Sequence, residues 1–264
     1  MKIIACIKQV PQGETQMDLS SGIIIRTQGE RMINPHDEAA LELAMTLRDM
    51  TPSSTASALS MGPEFISEML CKTLAAGINN ACQMSDILFA GADVLATAKT
   101  LSLGIKHIGV PDVIVCGEHT TDGGTGHTGA LLASLLGFEY IACVSKIESI
   151  SNNIITLRRE NESEGKILLC EVRLPCLLTA KSSAFPLRLP TLKSKLASKK
   201  IPIVNITAQD LSETSASEFG FAGSKTKVIK LTKVKKPTKL NFEQFSNESS
   251  AEVIFKTIRE RVYK

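Results

Sequence analysis

Through about residue 150, short and continuously apolar runs alternate with stretches whose apolar residues recur at helical spacing. KIIACI opens the chain as a buried strand. INPHDEAALELAMTLRD has the grammar of a helix start: Asn34 in the cap position, Pro35 at the first helical position, and Asp37 and Glu38 set against the positive end of the dipole. Its apolar Ala40, Leu41, Ala44, Met45 and Leu47 fall on one face. TASALSM predicts a second strand. Pro63 then starts a helix over EFISEMLCKTLAA, and Gly77 stops it. NACQMSD, DVLATAKTLSLGIKH, DVIVCG and ALLASLL, the last closed by Gly137, continue as strand, helix, strand and helix. Strands alternating with helices of this length require crossover connections and a parallel sheet covered on both faces. The fold class is α/β, a doubly wound and mostly parallel sheet.

Beyond Gly137 the pattern changes. YIACVSKIESI, NIITLRREN and KILLCEVRLPCLLTA predict three longer strands parted by polar turns, an antiparallel extension of the sheet. SSAFPLRLPTLKSKLASKKIP is basic and proline-punctuated, with two leucines that look exposed. From Ala208 the chain turns to Ser, Thr, Glu and Lys until a final helix. Ser249 and Glu252 fit a capping box there, and Ile254, Ile258 and Val262 recur every four residues. Such a tail needs a surface, either its own domain or a partner.

Composition removes several classes of function. Aromatics make up 4% of the 264 residues and Trp is absent, which argues against a base-stacking platform, and a net charge of +3 is too weak to indicate nucleic acid. Seven cysteines form no CxxC pair and lie mostly inside apolar runs, the usage of a reducing compartment. No stretch approaches a membrane span, and the expectation is a cytoplasmic protein.

The candidate chemistry sits in GEHTTDGGTGHTG, residues 117–129, between a strand and a helix. Its glycines, Gly117, Gly123, Gly124, Gly126 and Gly129, leave backbone N–H groups exposed at the carboxyl edge of a parallel sheet, beside a helix N-terminus; that is an anion site, most often for phosphate. Hydroxyls at Thr121, Thr125 and Thr128 add donors. Without the GK[ST] of a P-loop, triphosphate hydrolysis is not indicated, and the spacing is not GxGxxG. His119, Asp122 and His127 could be imagined around a metal, but the spacing matches no ligand pattern and hydrogen bonding is the expected role, so no metal is predicted. No GxSxG elbow and no local Cys–His pair supports nucleophilic catalysis. The sequence describes a nucleotide-sized site without catalytic machinery.

Several stretches in order resemble one family, the beta subunit of electron transfer flavoprotein. KIIACIKQVP is similar to its opening strand and turn, INPHDEAALE to its Asn-Pro-x-Asp-Glu helix start, and LSMGP with TLAAGINNACQMSD to its second and third strands. VIVCGEHTTDGGTGHTGALLASLLG resembles its nucleotide loop, and RLPTLKSKLASKKIP its leucine-containing recognition segment. The resemblance implies a Rossmann-like domain over residues 1–207, including a partner-recognition segment at 182–200, and a C-terminal arm over 208–264 that packs on a partner subunit. It implies an electron carrier that pairs with an alpha subunit, exchanges electrons with acyl-CoA-type dehydrogenases or NADH, and holds an adenine nucleotide. The matching nucleotide contacts are Cys6, the Asn34, Pro35, His36 and Asp37 turn, Met61, and the loop residues Glu118, His119, Thr120, Thr121, Asp122, Gly123, Gly124, Thr125, Gly126, His127, Thr128 and Gly129.

SDILFAGADVLATAKTL, with Gly91, Asp93 and Thr97, resembles a run of the flavin-binding, bifurcating type, and so does GFAGSKTKV, with Ser224, Thr226 and Val228. Together they tilt the implied cofactor toward FAD, with AMP as the alternative. Leu189, followed by Pro190 and Leu192 and set among Lys193, Lys195, Lys199 and Lys200, corresponds to the family's recognition leucine. The chain departs from the family where Glu118 and His119 replace Lys and Gln, Gly124 replaces Asp, His127 replaces Gln, and Lys225 replaces Pro; exchanging a lysine for a carboxylate should weaken anion binding. The reading from another class is an adenine-nucleotide-binding α/β enzyme, such as an ATP-using ligase or hydrolase.

Overall fold

The computed structural model describes residues 1–13, 30–161, 163–211, 215–229 and 247–262. In chain order the elements are β1 (Lys2–Cys6), β2 (Gln9–Pro11), β3 (Arg31–Ile33), α1 (Pro35–Met50), β4 (Thr55–Met61), α2 (Ile66–Ala76), β5 (Asn80–Met84), α3 (Val94–Ile108), β6 (Val113–Gly117) and α4 (Thr128–Leu136). There follow β7 (Glu139–Ser151), β8 (Ile154–Asn161), β9 (Lys166–Arg173), β10 (Cys176–Ala180), α5 (Leu192–Ser198), β11 (Ile203–Ile206), α6 (Gly220–Gly223) and α7 (Asn247–Val262).

Nine strands form one sheet in the order β11-β5-β4-β1-β6-β10-β7-β8-β9, parallel from β11 to β7 and antiparallel across β7, β8 and β9. This is the expected α/β sheet with its antiparallel extension. Alternate residues of a strand face opposite sides, and β1 shows what that builds here. Ile3 and Ala5 enter a core shared with α1 and α2, while Ile4 and Cys6 enter a second core shared with α3 and α4. Both faces of β1 are dry, so its apolar run is continuous rather than alternating. Fully burying Ile3 and Ile4 stabilises the fold by about 1.5–3 kcal/mol each.

The predicted strands and helices of the first 137 residues all form. α2 begins at Ile66 rather than at Pro63, which lies in the preceding turn. KILLCEVRLPCLLTA, expected as one strand, is two. β9 pairs antiparallel with β8, the strand breaks at Leu174 and Pro175, and β10 enters in parallel between β6 and β7. The apolar run hid the break because β10 is buried throughout, whereas β9 is an edge strand exposing Ile167, Leu168 and Leu169. Five elements carried no clear sequence signal: β11 on the opposite edge, β2 and β3, which form a separate ribbon, and the short helices α5 and α6.

Residues Met1–Ile229 form one compact unit, which includes residues 208–229, and Lys230–Lys264 form another. In the second, α7 begins at Asn247, so Ser249 is helical rather than the cap. Ile254, Phe255 and Ile258 on it are more than half exposed. The side chain of Val262 and the chain from 230 to 246 lie outside the described residues.

Candidate functional site

After β1 the chain crosses to β4 on one side, and β6 enters on the other side of β1. The carboxyl ends of β1 and β6 therefore flank the point where the winding reverses, the place where open α/β sheets bind ligands. Cys6 and Cys116 are in register there, and Met61 ends β4 one strand away. The neighbouring Cys6 thiol, together with burial, pushes Cys116 up.

The glycine loop runs from the end of β6 to the start of α4. Gly124 and Gly126 have φ of 64° and 65°, the left-handed region that side chains disfavour. The loop is braced from within: Gly124 N–H donates to Thr120 O (2.9 Å), and Gly123 N–H to Asp122 Oδ1 (2.7 Å) and Thr120 Oγ1 (3.3 Å). Among the described residues the amides of Thr125 and Gly126 have no hydrogen-bond partner, and the first amides of α4 follow directly. Gly129 lets the start of α4 close on β10, since a Cβ there would lie 3.2 Å from Thr179 Cγ2 and 3.3 Å from Leu177 Cδ2. A cation faces this loop although the loop holds none of its own. Lys8 Nζ donates to Asp122 Oδ1 at 2.7 Å, and the Asp122 side chain is only 1% exposed.

The amino end of α1 is folded against the same loop. Asn34 stands at the cap position without a side-chain cap hydrogen bond, contrary to expectation. Its amide is occupied by the loop: Nδ2 donates to His119 O (2.9 Å), and Oδ1 accepts from Thr121 N–H (3.2 Å). Asp37, expected to complement the helix dipole, is instead buried beneath the loop and accepts from Lys8 N–H at 2.7 Å. Burial pushes its carboxyl up to about 7, partly offset by hydrogen bonds from Asn34, Lys8 and Gly117 and by the Lys8 charge. Gly117 makes the approach possible. A Cβ on it would run into the Asp37 carboxylate and lie 2.9 Å from His36 Cβ.

This approach gathers three groups that the sequence scatters. His36 Nδ1 lies 3.7 Å from Glu118 Oε2, and the rings of His36 and His119 are 3.7 Å apart. Lys181, just past β10, is 3.9 Å from Glu118 Oε1 and 3.6 Å from Glu160. Burial, then His119 and Lys181, holds His36 below its ordinary value. The trio imagined from sequence, His119, Asp122 and His127, does not assemble; among the described residues the one potential ligand cluster is His36, Glu118 and His119.

Gly91, Asp93 and Thr97 come after β5, and Ser224, Thr226 and Val228 after α6; the structure ties most of them together, with 131 residues between Asp93 and Ser224. Asp93 caps α3 through Ala96 N–H (2.8 Å) on one oxygen, while the other accepts from Lys225 N–H, Thr226 N–H and Thr226 Oγ1 (2.8–3.0 Å). Ser224 Oγ accepts from Asp93 N–H (2.8 Å) and donates to Gly220 O (2.8 Å). Burial raises the Asp93 carboxyl, but these hydrogen bonds outweigh it and hold it below its usual value. Gly91 (φ 71°) packs on Phe221, Thr97 N–H bonds to Asp93 O within α3, and Val228 stays exposed.

A model of the electron transfer flavoprotein domain matches residues 21–211, most of the chain, including β4, β6 and the glycine loop but not β1. The chain belongs to the electron transfer flavoprotein family. Among its relatives, the electron transfer flavoprotein subunit beta of Megasphaera elsdenii is 34% identical over 238 residues, covering 88% of this chain and 87% of that protein. Protein FixA of Azorhizobium caulinodans is 31% identical over 253 residues (92% and 90%). The caffeyl-CoA reductase-Etf complex subunit CarD of Acetobacterium woodii is 37% identical over 180 residues (68% of each). Membership in the electron transfer flavoprotein family does not favour the ATP-using enzyme reading.

The leucine segment of this flavoprotein chain is held by a residue the sequence reading passed over. Arg188 clamps Glu42 of α1 with its guanidinium (2.7–3.1 Å) and its backbone N–H (3.0 Å), and reaches Asp49 at 2.8 Å. On that base Leu189 stands 91% exposed and Leu192 75% exposed. Pro190, between them, separates the clamp from α5. Lys8, Lys181 and Arg188 were equally invisible, because each acts on a group far away in sequence; for Lys8 the available signal was its place immediately after the central strand. Among the described residues no helix is long and apolar enough to cross a membrane.

Proposed function

We propose that this chain is the beta subunit of an electron transfer flavoprotein, holding an adenine nucleotide over the carboxyl ends of β1, β4 and β6. The observation that carries the reading is the uncommitted amide row at Thr125 and Gly126, continued by the first turn of α4 and aimed across the winding reversal with Lys8 beside it. This donor set fits a phosphate. FAD is the nucleotide this reading favours, with AMP as its alternative. A bound flavin supplies the redox chemistry; the protein binds and orients it, and no side chain need act as acid or base. Thr125, Gly126 and Gly129 would take phosphate oxygens. Lys8 and Asp122 would fix the loop, with Asn34 holding it from α1.

Partners follow from exposed apolar surface. The edge strand β9 presents Ile167, Leu168 and Leu169, and α7 presents Ile254, Phe255 and Ile258, surfaces suited to an alpha subunit. Leu189 on its Arg188 base, rimmed by lysines, suits a transient complex with an acyl-CoA-type dehydrogenase, in which the anchor supplies fit and the charges speed encounter. Seven free cysteines suit the cytoplasm.

Coexpression with a cognate alpha subunit should give a yellow heterodimer. Two flavins per pair would place FAD in this chain, and one flavin with one AMP would place AMP. A colourless pair without nucleotide would overturn the reading. Asp122→Ala should lower nucleotide occupancy about tenfold and cost about 1–3 kcal/mol in stability, since it removes a buried acceptor of the Lys8 ammonium and the Gly123 N–H. Full occupancy in that variant, measured by nucleotide extraction, would remove the loop from the site.

A further inference from the structure

Three side chains from two separate segments converge beside the glycine loop. His36 comes from the first turn of α1, and Glu118 and His119 from the two positions after β6; one ligand atom from each lies within 4.8 Å of the others. We propose that His36, Glu118 and His119 form a site for one divalent ion of the zinc class, with a fourth position open to solvent. Two imidazole nitrogens and a carboxylate oxygen are a known three-ligand set for such an ion. Ligand atoms around a tetrahedral zinc lie about 3.4 Å apart, from metal–ligand lengths of about 2.0–2.1 Å. The His36 Nδ1 to Glu118 Oε2 distance of 3.7 Å is already near that value, so only His119, the exposed member, must swing inward.

Two further observations point to a ligand rather than to packing. His36 Nδ1 is shielded from solvent and has no hydrogen-bond partner among the described residues, an arrangement that costs free energy unless something fills it. The groups around the trio also supply the support a metal site needs. Glu118 turns Oε2 toward His36 and Oε1 toward Lys181, so one oxygen lies on the side of the two imidazoles while the other faces a cation, and the Asn34 amide fixes the backbone of His119. Lys181 does not exclude a cation, because Glu160 lies 3.6 Å from it; Glu118 and Glu160 against Lys181 leave a net charge of −1.

An ion held here would sit at the mouth of the loop and return the positive charge that Glu118 takes away. The site itself stands on the three side chains and needs no nucleotide. The test therefore uses the purified, nucleotide-free full chain with Co²⁺ and Zn²⁺ alone. The expected result is one Co²⁺ per chain, with visible ligand-field bands and no sulfur charge-transfer band, displaced by Zn²⁺. Glu118→Gln, His36→Gln and His119→Ala should each weaken binding at least about tenfold, the effect already seen when a ligand's supporting partner is lost, while His107→Ala should leave it unchanged. Zn²⁺ should raise the thermal midpoint of the unaltered chain and not that of Glu118→Gln. His119→Ala keeps the test open should the α1 variant fail to fold, because that side chain is exposed. Absence of stoichiometric binding, a cysteine-type spectrum, or binding that persists in Glu118→Gln and His119→Ala would overturn the proposal. If the loop binds no nucleotide but the cobalt site behaves as described, this inference survives and the functional reading fails.

Discussion

Two regions along the carboxyl edge of the sheet carry the sequence resemblance to nucleotide contacts, and they spend their hydrogen-bonding groups in opposite ways. The loop after β6 braces only its first half and leaves the amides of Thr125 and Gly126 uncommitted among the described residues. The knot after β5 commits both oxygens of Asp93 to Ala96, Lys225 and Thr226, and the Ser224 hydroxyl to Asp93 and Gly220. A polar group already bonded within its own chain offers a ligand little; an exposed one left unbonded at a helix start holds only water, which a ligand can replace. The comparison teaches that the same resemblance covers two jobs, receiving a ligand and tethering a distant segment.

Substitutions can break this comparison or sharpen it. The largest effect is expected at Gly117, where a valine would collide with the Asp37 carboxylate and the backbone of His36. Overpacking against backbone should cost about 3 kcal/mol and abolish nucleotide binding together with the α1 contact, read by urea denaturation and nucleotide content. Asp93→Ala should cost less, about 1–2 kcal/mol, because it removes a helix cap and the tether of residues 224–226. Hydrogen exchange in 215–229 should rise while the loop keeps its ligand. Loss of ligand without faster exchange would instead make Asp93 a direct contact.

The last effect, which builds up over several pH units rather than appearing at one, is a pH slope at Asp37. Its carboxyl is raised from 3.8 to about 7 on folding, so between those values the folded chain holds a proton that the unfolded chain has released. Stability contributed by the neutral acid is thus complete below about 4 and declines as pH rises toward 7, by at most about 1.4 kcal/mol per pH unit. Asp37→Asn should remove that part of the slope in denaturant titrations at pH 5 and pH 7. An unchanged slope would mean that the Lys8 and Gly117 amides keep the carboxylate ionised.

Apart from β2 and β3, the elements of the first half were legible because each repeats a local rule: β1 is apolar on both faces, α1 keeps one apolar stripe, and Gly77 and Gly137 end their helices. The glycine loop was legible for the same reason. What escaped was whatever depends on two distant segments meeting. Asn34 has the chemistry of a cap, yet Thr121 and His119 compete for its amide and win, a contest no window of sequence contains. The division of β9 from β10 was hidden because an exposed edge strand and a buried inner strand share one apolar composition. His36 was read as part of a nucleotide-contact turn, and its meeting with Glu118 and His119 shows only where Gly117 lets α1 close on β6.

The late entry of β10 has a kinetic consequence. This strand fills the slot between β6 and β7 only after residues 139–173 have run out through the hairpin of β8 and β9 and come back. Pairing β6 with β10 closes a long excursion of chain, and the entropy of that closure is spent before the contact repays it. The floor beneath the glycine loop, where Gly129 rests on Leu177 and Thr179, is therefore assembled among the last parts of the sheet. A nascent chain released before Ala180 carries every residue of the loop and has nothing to set it on.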